Sequence, residues 1–422
     1  MNDFERKAVP HEKTLSWIHI ALVYTGVALT IPAFFLIADV TLSLGYYYGC
    51  LAILLSSIIL STFGIMTGVV GSKTNLSSYM IITNVFGCQA AKVINILFVI
   101  TLVGWFGVTA TFFAQAANNI LELGYQSWLL IGTLLMIFTA IYGFRGLHVF
   151  SLVVVPFLLI FLYTFAIISL KETSFSDILS IPGNRRISFG SAVSMLVGGM
   201  MVGVAIFPDL TRYTKSAKDG ALAGVTSFMV TILFALPIMI PVLYYQQANI
   251  VELIQKFGYP LWALLLIILA SWSSNDNNLY SGALSLTTIF KNVSKSTIVL
   301  ALATCGYIFS AINITNYFVA FLMFLSIIIP PIASIYSVDF LINNKLKMQC
   351  NINYKALIAW FVGVLVALFT APKNVYGLEF FSITTIPALD GYLVSGFVYY
   401  LLHIKKLNYR KFSFLGKNTS KR

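Results

Sequence analysis

The sequence predicts an all-α polytopic membrane protein with twelve transmembrane helices. Two observations carry that prediction. Of 422 residues, 59% are hydrophobic and only 9% charged, whereas soluble domains carry roughly 25% charged residues. The charges also stand at intervals that leave about 20 apolar residues between them, the length that crosses a bilayer. A mean hydropathy of +0.89 points to the same lipid solvent. The net charge of +12 would suit a nucleic-acid binder if the basic residues shared one solvated face. They sit between apolar runs instead, so no nucleic-acid partner is expected.

The spans follow from the charges in order. Span 1 lies between Lys13 and Asp39, and span 2 precedes Lys73 after a turn at Gly45–Gly49. Spans 3, 4 and 5 fill the gaps Lys92–Glu122, Glu122–Arg145 and Arg145–Lys171, span 6 fills Arg186–Asp209, and span 7 fills Asp219–Glu252. Span 8, between Lys256 and Lys291, is expected to be interrupted at Asp276. The run from Lys295 to Asp339 is too long for one crossing, and Asn313–Asn316 divides it into spans 9 and 10. Span 11 lies between Lys355 and Lys373, and span 12 ends at Lys405.

When the loops alternate sides, most Lys and Arg fall on the side of the N-terminus, and Lys171, Arg185, Arg186, Lys256 and Lys373 fall on the other. Basic loops face the cytoplasm, so both termini are expected inside a bacterial plasma membrane. The chain then divides into an N-terminal segment 1–13, five spans over 14–170, five over 187–342, two over 355–404, and a basic tail 405–422 that anchors near anionic lipid. Gly26-Val-Ala-Leu-Thr-Ile-Pro32 in span 1 is echoed by Gly203-Val-Ala-Ile-Phe-Pro208 in span 6. Paired Gly/Pro interruptions in corresponding positions mark the binding site of transporters built on inverted repeats.

Other classes are disfavoured. Cys50, Cys88, Cys305 and Cys350 form no Cys-x-x-Cys pair, and His11, His19, His148 and His403 lie at or near span ends. Neither a metal site, a disulfide framework nor a membrane-embedded enzyme is suggested. The first residues carry charges of both signs and no small-residue cleavage site, so a cleaved signal peptide is not expected.

Two segments carry chemistry. Ser273, Ser274, Asn275, Asp276 and Asn277 stand together inside the apolar span 8, an expensive arrangement unless they face a partner, an ion or water. An extramembrane loop is the plainer alternative. The serine hydroxyls offer hard oxygens to Na⁺ alongside carbonyls released at the span 1 break. Asn275 supplies a donor and an acceptor that match the edge of a nucleobase, while Asp276 offers a proton carrier, an acceptor for a substrate ring N–H, or a bundle hydrogen bond. In span 3, Val103-Gly-Trp-Phe-Gly-Val108 presents Trp105 between glycines, suited to stacking a flat ligand; by composition alone Trp105 and Phe106 read as packing residues.

VGWFGV, WSSNDNNLYSGAL, IIPPIASIYSVDFL, GSKTNLSSYM and the Asp209-Leu-Thr-Arg212-Tyr turn, in order over nearly the whole chain, resemble the nucleobase cation symporter family. The resemblance implies a leucine-transporter-like fold: two inverted five-helix repeats, helices 1 and 6 broken at the midplane, and two extra C-terminal helices. It implies that Trp105 stacks on the substrate, Asn275 bonds its edge, and Gly199 brings span 6 backbone close to it. It further implies sodium ligands at Ser273, Ser274 and the Ala270 carbonyl, with carbonyls near Ala28 and Ile31. Two residues depart from the pattern. Met200 stands where a relative is aromatic and Leu102 where it has glutamine, which loosens the expectation of cytosine toward a wider set of planar heterocycles.

The resulting expectation is a monomeric Na⁺-coupled importer of a nucleobase, cytosine first, without enzymatic activity or cofactor. Its alternatives are a purine, uracil, hydroxymethylpyrimidine, allantoin or hydantoin substrate, H⁺ coupling through Asp276, and a membrane-embedded sensor. Asp209, Arg212 and Asp339 read preferentially as helix-end charges at the interface, with an inner gate as the alternative; Asp39 and Asp390 read as interfacial or cavity-facing.

Overall fold

A computed structural model describes residues 4–312, 317–343, 351–373 and 377–417. The expected break at Asn313–Asn316, together with Lys345, Lys347, Cys350 and the side chains of the tail, lies outside the described residues.

The first gap holds α1 (Trp17–Ala28) and the start of α2 (Ile31–Thr74). Between them Leu29 adopts φ −75°, ψ 77°, and Thr30 N–H turns back to Ala28 O at 2.9 Å, an inverse γ-turn. The chain restarts at once because the Thr30 hydroxyl accepts Ala33 N–H at 3.1 Å and Pro32 occupies a first-turn position, where its missing N–H costs nothing. Within α2, Gly45 at φ 74°, ψ −178° separates spans 1 and 2, a conformation open to glycine and strained for other residues. The expected Gly45–Gly49 turn is thus a single-residue reversal.

A short α3 (Ser78–Phe86) leads to α4 (Cys88–Ile120), α5 (Tyr125–Ile141), α6 (Phe144–Ser169) and α7 (Phe175–Ser180). Next come α8 (Phe189–Ile206), α9 (Pro208–Thr211), α10 (Ala217–Tyr245), α11 (Ile250–Lys256) and α12 (Pro260–Ile289). The chain closes with α13 (Lys295–Ala311), α14 (Phe318–Asn343), α15 (Tyr354–Thr370) and α16 (Pro387–Lys417). Among the described residues six helices are long and apolar enough to cross a membrane, and α1, α5, α13 and α15 are shorter apolar helices.

Two expectations fail. Span 8 is not interrupted at Asp276, nor does a loop replace it: α12 runs unbroken through Ser273–Asn277. Those side chains are all buried, so the helix backbone satisfies itself while its polar groups turn to neighbouring helices. Span 6 does not unwind as span 1 does. At Phe207 the backbone keeps helical torsions of φ −55°, ψ −32°. Pro208 cannot bond Val204 O, which takes Phe207 N–H instead, and Ala205 O accepts the Tyr336 hydroxyl at 2.9 Å. The interruption is a local kink at the end of α8.

The bundle is held by close backbone approach as well as by side chains. A Cβ on Gly68 would meet Gly220 O at 2.4 Å, and one on Gly224 would meet Gly64 O at 2.5 Å. Gly64-xxx-Gly68 of α2 and Gly220-xxx-Gly224 of α10 therefore face one another, the small-residue spacing that lets membrane helices touch. Gly224→Leu is expected to force them apart and destabilise the fold by about 1–3 kcal/mol; thermal unfolding in detergent checks this.

Candidate functional site

One cavity of about 520 Å³ opens in the bundle, within the range of small-molecule sites. Its depth is set by the turn that ends α1: Ala28, Thr30 and Pro32 line it. Trp105 and Phe112, seven residues apart on one face of α4, form one aromatic wall, and Phe35 of α2 packs near Phe112 with centroids 5.5 Å apart. Gly199 and Met200 of α8 and Met323 of α14 add soft and backbone surface. Hydroxyls are supplied by Ser56, Ser57, Thr231 and Ser326; the Thr231 hydroxyl is buried without a hydrogen-bond partner among the described residues. Exposed Asp39, Arg186, Ser188 and Thr385 mark the mouth. Asp39 is therefore cavity-facing, and Asp390 is wholly buried.

Trp105 is half-buried, edge-on to Phe321 of α14 at 5.8 Å, and Gly104 gives the Phe321 ring its place: a Cβ there would meet it at 2.5 Å. Phe106, the next residue, turns away. It is fully buried against Gly306 of α13 and does not line the cavity. Consecutive helix positions point about 100° apart, so only one of the pair can face the lumen.

Asn275 departs from the expected geometry. It lies outside the cavity lining, and its amide is committed to protein: Nδ2 donates to Phe106 O at 3.1 Å and contacts Met136 Sδ at 3.3 Å, while Oδ1 accepts Asn278 Nδ2 at 2.9 Å. Here Asn275 ties α12 to α4 and α5. Asp276 is equally buried, with the Thr139 side chain and the Asn277 backbone beside its carboxylate.

Ser273 faces α1. A Cβ on Gly26 would lie 2.3 Å from Ser273 Oγ and 3.2 Å from Ser151 Oγ of α6, so two hydroxyls meet the last turn of α1 just before it breaks. The Ser273 hydroxyl has no hydrogen-bond partner among the described residues. Ala28 joins the cavity wall, whereas Ser274, Ala270 and Ile31 are buried outside its lining. Hydroxyl and carbonyl oxygens are hard donors and fit a small hard cation, although Ala28 O already accepts Thr30 N–H.

The end of the bundle opposite the mouth is sealed. Asp209 and Arg212 are 0% exposed, which overturns their reading as interfacial charges. Arg212 donates to Phe4 O at 3.0 Å, the Tyr280 hydroxyl at 2.7 Å and the Tyr213 hydroxyl at 3.2 Å, and Asp209 Oδ1 accepts Ser78 N–H at 2.8 Å. Asp339 instead accepts the Tyr399 hydroxyl at 2.7 Å, binding α14 to α16. The N-terminal segment crosses this end: Val9 N–H donates to Asn75 O, Leu15 N–H to Tyr213 O, and Arg6 Nε to Thr287 O. His19 and His148 share a hydrogen bond of 2.9 Å between α1 and α6, a pairing their separation in sequence conceals.

The sequence model of one protein family, described as permeases for cytosine/purines, uracil, thiamine and allantoin, matches residues 8–398. The chain belongs to this family. It is a membrane permease. The cytosine permease of Escherichia coli K12 is 24% identical over 372 residues, covering 86% of this chain and 88% of that protein. A purine-uracil permease of Arabidopsis thaliana is 22% identical over 108 residues, 25% of this chain and 18% of that protein. The fold is shared with Mhp1, a nucleobase-cation-symport-1 transporter solved closed around bromovinylhydantoin: TM-score 0.80, 18% identity, 95% of this chain and 94% of that one. It is also shared with a Na⁺-coupled sialic acid symporter at TM-score 0.68, 13% identity and 94% and 90% coverage.

In this permease, the lining residues that sequence reasoning passed over include Phe35, Phe112, Thr231, Met323 and Ser326. Only Phe112 left a signal, its seven-residue spacing from Trp105. The others are ordinary apolar or hydroxyl residues whose role depends on which way a helix turns.

Proposed function

We propose that this permease imports a nucleobase, with cytosine as the first candidate, by Na⁺-coupled symport and alternating access. The observation that carries the reading is the position of Trp105: it lines one cavity together with the broken end of α1, the backbone of Gly199 and the thioether of Met200. A planar ring laid on Trp105 gains stacking on one face and a polarizable contact on the other. Hydroxyls at the cavity edge supply hydrogen bonds to ring nitrogens and exocyclic groups.

Na⁺ coupling is supported by the unpartnered Ser273 hydroxyl against α1, with Ser274 and the carbonyls of Ala270, Ala28 and Ile31 as the proposed further ligands. An ion there would hold the α1 break in the conformation that lines the cavity, and so favour the substrate-competent state. On this reading Asn275 exchanges its bond to Phe106 O for the substrate edge as the bundle closes. Twelve spans in two inverted five-helix repeats, with both termini cytoplasmic and the cavity open to the outside, complete the proposal; rocking of one bundle would break the Arg212 closure and open the other end.

H⁺ coupling through Asp276 is the second reading, favoured by its buried carboxylate, which no basic side chain among the described residues is seen to pair. Uptake of radiolabelled cytosine into proteoliposomes separates the two. Concentrative uptake is expected under an inward Na⁺ gradient at constant pH, to be lost without Na⁺ and impaired in Ser273→Ala. Uptake that ignores Na⁺ and follows the proton gradient moves coupling to Asp276, and no saturable uptake of any nucleobase refutes nucleobase transport.

A further inference from the structure

We propose that Thr385 determines substrate specificity at the cavity mouth and that Asp390 is the residue that positions it; the proposal rests on the transport reading above. The described residues between α15 and α16, 371–373 and 377–386, form a built rim. Pro372, Thr385, Pro387 and Ala388 line the cavity although α15 and α16 stand outside the helices that form its floor. The connection is pinned at both ends. Near α15, Leu378 N–H donates to Leu368 O, Glu379 N–H to Ala371 O and Phe380 N–H to Phe369 O. Near α16, the wholly buried Asp390 receives Thr384 N–H at 3.0 Å and the Thr384 hydroxyl at 2.5 Å on the same oxygen.

Between these anchors Thr385 is held at φ 64°. For a β-branched residue this is a strained conformation, which persists only where the surroundings over-determine it and which is concentrated at functional positions. The strain has a visible result. It seats the Thr385 side chain against the first turn of α8, where a Cβ on Gly190 would lie 3.2 Å from Thr385 Oγ1, and so closes one side of the mouth. The opposing α8 turn carries Ser188 and Ser191, whose hydroxyls bond one another at 2.9 Å. Thr385 is exposed and lines the cavity at this edge, so a heterocycle entering toward Trp105 passes beside it and a ring substituent meets Thr385 before the stacking site is reached. The Asp390 carboxylate acts through Thr384 and does not line the cavity.

Thr385→Gly tests this without a folding penalty at the site, because glycine adopts positive φ freely. Full-length protein in proteoliposomes would be assayed for uptake of cytosine, with 5-methylcytosine, 5-bromocytosine and adenine as competing substrates. The expected result is a KM for the bulkier compounds that falls by about 10-fold relative to that of cytosine, the effect of one methyl-sized contact. Asp390→Ala is expected to move the ratio in the same direction, and Asp390→Asn, which retains an acceptor for Thr384, to restore it. A ratio unchanged in Thr385→Gly while cytosine uptake persists overturns the specificity role. A lowered melting temperature with an unchanged ratio in Asp390→Ala makes Asp390 a structural cap and overturns the positioning role. Failure of the wild-type protein to take up any of these compounds refutes the transport reading itself.

Discussion

Trp105→Ala is expected to weaken nucleobase binding by roughly 5- to 150-fold, because a base stacked on an aromatic ring gains about 1–3 kcal/mol and each 1.4 kcal/mol is a factor of ten. The loss is a cavity-wall effect: the ring lines the lumen, held edge-on by Phe321, and Gly104 leaves no side chain that could take over its surface. Trp105→Phe should recover most of the affinity, since a smaller π-face remains. Equilibrium binding of radiolabelled cytosine to purified protein measures both. An unaltered Kd in Trp105→Ala, with a lowered melting temperature, would restrict Trp105 to packing between α4 and α14.

Arg212→Ala is expected to open the sealed end. The guanidinium is wholly buried and joins the N-terminal segment, α12 and Tyr213 through Phe4 O and two phenol hydroxyls. Breaking a buried charged network by deleting one member costs about 3–5 kcal/mol, comparable to the difference between alternate states of a transporter. Ser281, beside Tyr280 and 1% exposed, reports on it: the thiol of a Ser281→Cys variant should be shielded from a polar maleimide in the otherwise native protein and labelled rapidly when Arg212→Ala is added. Arg212→Lys should restore little shielding, since an ammonium cannot span several acceptors with the geometry of a planar fork. Equal labelling with and without Arg212 would show that closure resides in the apolar packing alone.

What the sequence made legible follows the physics of each feature. Scarce charge located the helices, because a charge inside a bilayer is expensive at any orientation. The break at Leu29–Thr30 was legible because Gly26 and Pro32 weaken the helix ladder from both sides. Their echo at Gly203–Pro208 misled, since Pro208 falls at the first position of a new turn and the phenol of Tyr336 serves a neighbouring carbonyl. The polar row of α12 was visible, its directions were not: Ser273 faces α1, Asn275 faces α4, and the difference is one of helical phase. Asp209 and Arg212 were read first as helix-end charges at the interface because burial of that turn depends on the N-terminal segment folding over it, a long-range event without a local signature.

That closing contact has an evolutionary corollary. Arg212 grips a main-chain carbonyl at Phe4, an acceptor that every amino acid provides. Replacement of the Phe4 side chain leaves the acceptor in place, so covariation between the two positions would not register the bond. The strap is specified by the length and path of the chain between Phe4 and Leu15, and an insertion or deletion there would alter the resting state of the transporter more than most substitutions.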